Sequence, residues 1–354
     1  MTDVAVPAPL KASQRSASDR DGAVVIAIVG YRNADDIRTC LAALTRLTET
    51  NFIVSICENG GAQAYHALVA ALRGLVSFEG APPLVDSRVV EAKAGRLQGG
   101  GQPVRIYRAT GNLGYAGGVN VTLEQLRSDD SWSALWILNP DTEPHPDALT
   151  ALIARTREGY GIVGSRLIFK TTQRVQCYGG HWRPTMASAR NIGMNAPRDA
   201  MPDIVALERK MDYINGASLF ATRACVDEIG PLDERYFLYC EEIDWVFRRG
   251  AHRLGYAHDS IVYHAHGATI GSNKNRRMRS ALSVYLDERN RHLFTRRFFP
   301  ARYPLVAFTT LVFTLQYVRA GAFRNFGVAL AGWFAGLRGE QGLPKRFAGP
   351  EAAS

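Results

Sequence analysis

The stretch Leu135-Trp-Ile-Leu-Asn-Pro-Asp-Thr-Glu143 decides the fold class of this 354-residue chain. Its four bulky apolar residues stop at Asn139-Pro140, and proline cannot donate a hydrogen bond to a sheet. The pattern predicts a short buried strand followed by Asn139, Asp141 and Glu143 at its carboxyl end. Open parallel sheets bind ligands at that edge, where a carboxylate can hold a hard cation against a diphosphate. An ordinary strand-to-helix loop ahead of Pro146 is the alternative.

Upstream of this stretch the sequence predicts two further strands. Residues Val24 to Val29 form an apolar run rich in β-branched side chains, which is typical of a central parallel strand buried on both faces. Asn33 follows in a turn and is predicted to cap a helix. Residues Phe52 to Cys57 give the next strand, so this part of the chain is a right-handed β-α-β unit. The expected fold is α/β, with a mixed, mostly parallel sheet flanked by helices.

Two glycine-rich stretches separate this unit from Leu135. Residues Glu79 to Pro103 show little periodicity and are predicted to form a long exposed insertion. Residues Gly111 to Asn120 open an amphipathic helix, and glycines at such a junction let backbone N–H groups approach a phosphate or a base. The spacing differs from the dinucleotide pattern G-x-G-x-x-G, so that class of site is not indicated.

Acids and histidines cluster in the second half of the chain. The acids that follow the aromatic run Tyr236 to Tyr239 are Glu241, Glu242 and Asp244. They lie at the predicted start of a helix, where acids are favourable in any case, so the pattern fits either a helix start or catalytic carboxylates. His264 and His266 share one face of a short predicted strand, where histidine is more often structural than a ligand.

The composition is that of a globular protein, with 46% hydrophobic residues and a formal net charge of +9. From Gly271 onward there are 14 Lys and Arg and four acids, so 14 − 4 gives +10 and the remainder of the chain is near −1. A basic tail on a neutral body indicates an anionic surface as partner. The segment Lys274 to Arg279 lacks interleaved aromatic residues, so nucleic acid is not expected as a partner. The five cysteines form no C-x-x-C pair and are expected to be reduced core residues of a cytosolic protein.

These patterns predict three segments. Residues 1–21 are rich in Ala, Ser and Pro and are expected to be disordered, with no export signal. Residues 22–270 form the catalytic domain, and residues 271–354 form a basic helical extension. Its uncharged run from Pro304 to Val318 is shorter than the ~20 residues that span a bilayer. Flanking arginines and aromatic residues predict interfacial helices on the cytoplasmic side of the cell membrane; the alternative is packing on the catalytic domain or on a second copy in a homo-oligomer.

The ordered set of motifs resembles family-two inverting glycosyltransferases with the GT-A fold, and among them the bacterial rhamnosyltransferase-like branch. The motifs, all between residues 24 and 270, are Ala27 to Asn33, Asn112 to Asn120, Leu138 to Asp141, Asn215 to Ala217, Gly230 to Asp244, and His264 with Gly267 and Thr269. The resemblance implies a nucleotide-sugar donor, a divalent cation (Mg²⁺ or Mn²⁺), and a lipid-linked or polysaccharide acceptor in cell-envelope glycan synthesis.

The resemblance also implies roles for particular residues. Those expected to contact the nucleotide sugar are Tyr31, Asn33, Glu58, Asn112, Gly114, Gly117, Asn120 and Asn139. Those expected to contact the acceptor are Gly216, Ala217 and Trp245. Asp141 occupies the last place of the family's Asp-x-Asp metal motif, in which Asn139 replaces the first Asp; His264 is the second metal-ligand candidate. Glu241, Glu242 and Asp244 are the catalytic candidates, with Glu241 favoured as the base.

This chemistry explains the residue types. Breaking a sugar–diphosphate bond leaves negative charge on the diphosphate, which a divalent cation neutralises. A carboxylate takes the proton of the acceptor hydroxyl, and a single displacement inverts the anomeric centre. The two alternative functions are a nucleotidyltransferase on a similar sheet and a catalytically inactive glycan- or nucleotide-binding homologue.

Overall fold

The computed structural model describes residues 22–265 and 275–348. Within these ranges the chain forms an eleven-stranded mixed sheet with helices on both faces, a two-stranded ribbon and a C-terminal group of helices. Three predictions lie outside the described residues, namely the disorder of residues 1–21, the placement of His266 and the domain boundary at residue 270.

The elements follow one another in an alternating pattern over the first half of the chain. The strands are β1 (Ala23–Gly30), β2 (Phe52–Glu58), β3 (Val76–Phe78), β4 (Val89–Leu97), β5 (Pro103–Ala109), β6 (Trp132–Leu138), β7 (Thr142–Pro144), β8 (Ile162–Phe169), β9 (Val175–Cys177), β10 (Gly179–Arg183), β11 (Ser188–Ile192), β12 (Ser218–Thr222) and β13 (Leu254–His264). The α-helices are α1 (Ala34–Leu44), α2 (Gly61–Ala71), α3 (Gly114–Leu126), α4 (Ala148–Arg157), α5 (Ile204–Lys210), α6 (Arg223–Ile229), α7 (Glu241–Phe247), α8 (Ala281–Phe298), α9 (Tyr303–Arg319) and α10 (Phe323–Arg338).

The large sheet has the strand order β3-β4-β5-β2-β1-β6-β12-β8-β13-β7, with β9 paired to β8. Strands β5, β2, β1 and β6 are mutually parallel. Strand β12 runs antiparallel between β6 and β8, and β13 is parallel to β8. The predicted mixed, mostly parallel sheet with flanking helices is therefore confirmed.

Strand β1 is buried on both faces, as its continuous apolar run predicts. Ile26 and Ile28 point into a core shared with Leu41 of α1, whereas Val25 and Ala27 point into the opposite core. This alternation follows from the two-residue period of a strand. The two cores fix the positions of β1 and β6, and their carboxyl ends lie side by side.

Two local predictions are wrong. The predicted exposed insertion contains β4, which pairs antiparallel with β5 at the edge of the sheet. Asn33 occupies the position before α1, but its side chain makes no cap hydrogen bond to that helix. Its Oδ1 accepts from the backbone N–H of Tyr31 at 3.0 Å instead, which tightens the preceding turn. The five cysteines are buried and free, as expected.

The C-terminal helices pack on the sheet half of the protein. Phe294 of α8 lies in the same core as Trp182, with 4.4 Å between their ring centroids. The opposite side of α9 faces outward and carries Leu305, Phe308, Val312 and Leu315, which are 44–65% exposed. Among the helices described, none is both long and apolar enough to span a bilayer. The tail thus has an inner packing surface and an outer apolar surface.

Helix α8 also holds a strained loop. We define the acid loop as residues 236–242; within it Phe237, Tyr239 and Cys240 have φ angles of 64°, 71° and 73°. Non-glycine residues in this region each cost about 1–3 kcal/mol and persist only when their surroundings hold them. Nδ2 of Asn290 contacts the carbonyl oxygens of Tyr236, Leu238 and Tyr239 at 3.1, 2.7 and 2.8 Å. The tail therefore holds the backbone that precedes the two glutamates.

Two glycines of α10 give a matched test of the contact between α8 and α10. A Cβ on Gly332 would lie 2.4 Å from the carbonyl oxygen of Tyr285, whereas a Cβ on Gly327 would meet nothing within 4 Å. We expect Gly332→Ala to destabilise the protein by about 1–3 kcal/mol through overpacking. Gly327→Ala should stabilise it by about 0.5–1 kcal/mol through helix propensity. Urea denaturation measures both; equal effects of the two changes would contradict this packing.

The Asn290 contacts generate a second prediction. Asn290→Ala should lower the free energy of unfolding by about 2–4 kcal/mol, because the carbonyl oxygens of Leu238 and Tyr239 lose their donor. It should also lower kcat about 100-fold at a temperature where the variant is fully folded, since small misplacements of catalytic groups are costly. Gly332→Ala is the stability-matched control and should retain its kcat. An unchanged kcat in Asn290→Ala would show that the acid loop keeps its shape without α8.

Candidate active site

A cavity of about 690 Å³ opens at the carboxyl ends of β1 and β6. It is bounded on the sheet side by the turns after these strands and on the other side by the acid loop and α8. The predicted site residues that line it are Tyr31, Asn33, Asn112, Gly114, Asn139, Asp141, Gly216, Ala217, Glu241, Glu242 and His264. Residues from all six motifs of the sequence thus meet in one cavity.

The segment after β6 presents Asp141 to this cavity. Backbone N–H of Asn139 donates to the carbonyl of Ala217 at 3.1 Å, and the hydroxyl of Thr142 donates to the carbonyl of Asn139 at 2.6 Å. The hydroxyl of Tyr115 lies 3.0 Å from Oδ1 of Asn139 and 2.9 Å from the carbonyl oxygen of Gly216. These contacts fix the loop on both sides, so the Asp141 carboxylate has a defined position.

Asp141 is paired with a histidine at the end of β13. Nε2 of His264 lies 3.2 Å from Oδ1 of Asp141, and both side chains are less than 10% exposed. On the other side of the ring, Nδ1 of His264 is 2.8 Å from Oε1 of Gln176. An amide oxygen only accepts, so Nδ1 carries the proton and the Nε2 atom is directed at the carboxylate.

These atoms fit a divalent cation. A separation of 3.2 Å is close to that of two adjacent ligands with bonds of about 2.1 Å. A Gln176 oxygen that orients the ring is the usual kind of support behind a metal-binding histidine. The described residues contain no cluster of three or more His, Cys, Asp or Glu side chains able to hold a metal. A cation bound by Asp141 and His264 would therefore take other ligands from a diphosphate and water, as Mg²⁺ commonly does.

Amide side chains line the other end of the cavity. Asn59 donates from Nδ2 to the carbonyl of Gly114 at 2.8 Å, and Asn112 accepts from the N–H of Gly114 at 3.1 Å. Gly114 has a φ of +73°, and a Cβ there would lie 2.2 Å from the carbonyl oxygen of Phe237. Glycine is required at this position because helix α3 begins against the acid loop. Tyr31 is 42% exposed at the rim and offers a ring on which a base can stack.

Glu241 and Glu242 form a carboxyl pair at the start of α7. Glu241 is 3% exposed, and its Oε2 has no hydrogen-bond partner among the described residues. Glu242 is half-buried, and its side chain lies beside Gly216. Burial raises the pKa of Glu241 well above its ordinary value, and the neighbouring Glu242 raises it further. Burial also raises the pKa of Glu242. Two adjacent carboxyls in a poorly hydrated site favour one proton between them.

Five predicted site residues lie outside the cavity, and their predicted ligand contacts are corrected here. Those five are Glu58, Gly117, Asn120, Asp244 and Trp245. Glu58 is fully buried and accepts from the N–H groups of Arg32 and Gly60, so it shapes the turn that carries Tyr31. Asn120 forms hydrogen bonds to Leu232 and Glu234 and thus links α3 to the segment that precedes the acid loop. Gly117 packs against Leu113 inside α3.

Asp244 and Trp245 support α7 from the core side. The Asp244 carboxylate accepts from the Tyr236 hydroxyl at 3.0 Å, from Arg248 at 2.8 Å and from Arg297 at 2.9 Å. Trp245 is fully buried and donates to the carbonyl of Gly230 at 2.7 Å. Neither side chain lines the cavity, because both are held in the core by these hydrogen bonds.

The structure adds site residues that sequence reasoning missed. Gln176 lies on a three-residue strand without a periodic pattern, so no signal marks it. Tyr115 and Asn215 lie inside quoted motifs, and their motif positions could have identified them. The tail supplies Ser280, Leu282, Leu343 and Phe347 to the wall of the cavity. The predicted extension is thus part of the site itself.

Comparison with known proteins finds similarity to glycosyltransferases. The family model described as Glycosyl transferase family 2 matches residues 87–212. Low-salt glycan biosynthesis hexosyltransferase Agl10 of Haloferax volcanii is 24% identical over 246 residues, or 67% of this chain and 76% of that protein. N-acetylglucosaminyl-diphospho-decaprenol L-rhamnosyltransferase of Mycobacterium tuberculosis is 24% identical over 243 residues, or 64% of this chain and 69% of that protein.

Solved structures show distant similarity. The mannosyltransferase PcManGT from Pyrobaculum calidifontis, in complex with GDP-Man and Mn²⁺, has a TM-score of 0.49 at 12% identity, covering 89% of this chain and 87% of its own. S. aureus TarS 1–349 in complex with UDP-GlcNAc has a TM-score of 0.46 at 12% identity, covering 90% and 92%. Residues 87–212 are thus similar to Glycosyl transferase family 2, and the chain is similar over about two thirds of its length to a hexosyltransferase and a rhamnosyltransferase.

Proposed function

We propose that this glycosyltransferase transfers one sugar from a nucleotide-diphosphate sugar to a hydroxyl of a lipid-linked glycan acceptor, with inversion at the anomeric carbon. The observation that carries the proposal is the single cavity that holds both the Asp141–His264 pair and the Glu241–Glu242 pair. One pair suits a diphosphate-bound cation, and the other suits proton removal from an acceptor. The named acceptor of the mycobacterial relative, a diphospho-decaprenol sugar, is of this class.

A bound divalent cation would neutralise the charge that develops on the leaving diphosphate. Asp141 and His264 would hold it, and Gln176 would keep the imidazole in the orientation that serves it. Asn59, Asn112 and Gly114 would form the pocket for the nucleoside beside the exposed ring of Tyr31. The glutamate pair would accept the hydroxyl proton as the acceptor oxygen attacks the anomeric carbon.

Between the two glutamates, the geometry favours Glu242 as the base. A base must be ionised and must reach the acceptor. Glu241 is nearly inaccessible and its pKa is raised well above the ordinary value by burial, so it is the carboxyl that retains a proton. Glu242 is half-buried and faces Gly216 in the wall of the cavity. The sequence, by contrast, favours Glu241 as the base.

We also propose that the outer face of α9 rests on the cytoplasmic surface of a membrane. Leu305, Phe308, Val312 and Leu315 form an exposed apolar stripe at helical spacing, with Arg302 and Arg319 at the two ends of the helix. Amphipathic surfaces of this kind bind at the lipid headgroup boundary. Such an orientation would bring the cavity close to a lipid-linked acceptor.

The metal assignment gives the first test. Asp141→Ala should abolish transfer and remove the divalent-metal dependence of nucleotide-sugar binding, because it deletes the one carboxylate of Asn139-Pro140-Asp141. His264→Ala should act in the same direction but less strongly. Thermal-shift titration of a panel of nucleotide sugars, with and without Mg²⁺ or Mn²⁺, measures this, since a true donor stabilises the folded state. Near wild-type turnover of Asp141→Ala would exclude the metal role.

The base assignment gives the second test. Glu242→Gln should lower kcat about 10²–10⁴-fold with donor affinity nearly intact, because the amide keeps the shape and loses basicity. In the wild type, kcat should fall as the pH drops through the raised pKa of Glu242, so its acid limb should lie above pH 4.5. If Glu241→Gln is dead and Glu242→Gln is active, the roles of the two glutamates are exchanged.

Glu241→Gln serves as the control, with a readout in stability. Because its folded-state pKa is raised, the folded protein binds this proton more tightly than the unfolded chain. The stabilisation is fully present below the unfolded pKa and is lost as the pH rises. Glu241→Gln should therefore be more stable than the wild type at pH 8, by about 1 kcal/mol or more, and gain little at pH 4. Denaturation curves at the two pH values measure this difference.

A further inference from the structure

A second cavity lies beside the active site. It has a volume of about 560 Å³ and is lined by residues at the starts of α8 and α10 together with the turns before them. Ser280 lines both this cavity and the active-site cavity. The two cavities are therefore separated by little more than one residue.

Three arginines line the second cavity, namely Arg277, Arg279 and Arg324. Arg279 is neutralised by Asp287, with 3.2 Å between Nη1 and Oδ2. Arg277 donates from Nε to the carbonyl of Ala320, and neither it nor Arg324 forms an ion pair with any acid of the two described ranges. None of the lining residues within those ranges is acidic. The cavity thus holds two positive charges that no acid of the described ranges compensates.

Asn325 and Gly321 hold the arginines at this cavity. Asn325 is 6% exposed and donates from Nδ2 to the carbonyl oxygens of Arg276 and Arg279 at 2.7 and 3.1 Å. It therefore fixes the arginine turn to the start of α10. Gly321 has a φ of +64°, and a Cβ there would lie 2.3 Å from Nη2 of Arg277. A side chain at Gly321 would displace the guanidinium group.

We propose that this arginine-lined cavity binds the diphosphate of the lipid-linked acceptor. The proposal rests on the proposed function, since it takes the acceptor sugar to lie in the active-site cavity. A diphosphate carries adjacent anionic oxygens, and arginine guanidinium groups bind such oxygens with two parallel hydrogen bonds. The helix starts of α8 and α10 add to the favourable potential for an anion.

The order of chemical groups in such an acceptor matches the order of surfaces on the protein. The attacking hydroxyl and its sugar would lie at Glu242, and the diphosphate would lie past Ser280 at Arg277 and Arg324. The apolar chain would continue over Phe323, which is 70% exposed and lines the same cavity.

The test is a calorimetric titration of the full-length chain with farnesyl diphosphate in EDTA. EDTA removes the cation through which a diphosphate would bind at Asp141. The double variant Arg277→Ala/Arg324→Ala should bind this probe about 10- to 100-fold more weakly than the wild type, because charge-assisted hydrogen bonds are lost. Arg324→Ala alone should weaken binding about 10-fold; this side chain is exposed and makes no hydrogen bond to a described residue, so the variant should keep the wild-type melting temperature.

Arg302→Ala is the matched control, because it removes the same charge from an exposed position at the other end of α9. It should bind farnesyl diphosphate with wild-type affinity. Farnesol should bind the wild type and the three variants equally, since it lacks the anionic diphosphate. Wild-type affinity of the double variant, or an equal loss in Arg302→Ala, would overturn the proposal.

Phosphatidylglycerol vesicles separate an acceptor diphosphate from a membrane headgroup. If the double variant loses vesicle binding yet keeps its affinity for farnesyl diphosphate, the arginines bind headgroups and the proposal is wrong. The proposed function is tested apart from this, because its metal-dependent binding of nucleotide sugars is measured without the probe. Failure there, with the titration as expected, would reject the donor assignment and leave the diphosphate cavity in place.

Discussion

The active site depends on hydrogen bonds that α8 makes to a loop far upstream. Asn290 donates to the carbonyl oxygens of residues 236, 238 and 239, and Arg289 also donates to that of Tyr236; both side chains are fully buried. Three non-glycine residues there have left-handed φ angles, and an isolated segment would not hold them. The strain is offset by these contacts, and its result is that α7 begins with two glutamates facing the cavity.

Much of the sheet could be predicted from the sequence, since β1, β2 and β6 are continuous apolar runs with clear ends. Asp141 could be assigned to the ligand edge for the same reason, because it follows a strand in a parallel sheet. Strand β4 differs from the prediction because it lies between glycine-rich segments, next to the edge strand β3, and carries charged residues along its length. The local pattern of apolar and polar residues does not reveal a strand whose pairing depends on partner strands elsewhere in the sheet.

The site was predictable as a set of motifs and less so as individual side chains. Asn120 and Trp245 lie in motifs of the right composition but point into the core, where they bind Leu232 and Gly230. The direction of a helical side chain depends on which face of its helix packs on the sheet. A seven-residue helix such as α7 has too few positions for the sequence pattern to identify that face. Gln176 acts on Asp141 through His264, so only the folded structure connects it to the site.

The sequence predicts that the basic tail binds an anionic surface, yet many of its arginines form hydrogen bonds and ion pairs within the protein. Arg289 binds the acid loop, Arg297 binds Asp233 and Asp244, and Arg296 binds the last carbonyl groups of α10. A net charge of +10 therefore overstates what the tail offers to a membrane. Arg277 and Arg324 differ from these because they line the second cavity and form no ion pair with an acid of the two described ranges.

Two different parts of the chain form the two sides of the cavity, and this has an evolutionary consequence. The Asp141–His264 pair is held by β6, β13 and Gln176, and the proposed nucleoside pocket by the turns after β1 and β2 and by the start of α3. The wall formed by Ser280, Leu282, Leu343 and Phe347 comes from helices that follow the sheet in the chain. Substitutions in those helices can reshape one side of the cavity while leaving the other side intact. A lineage with this architecture can thus change which molecule it modifies without rebuilding the way it activates the sugar.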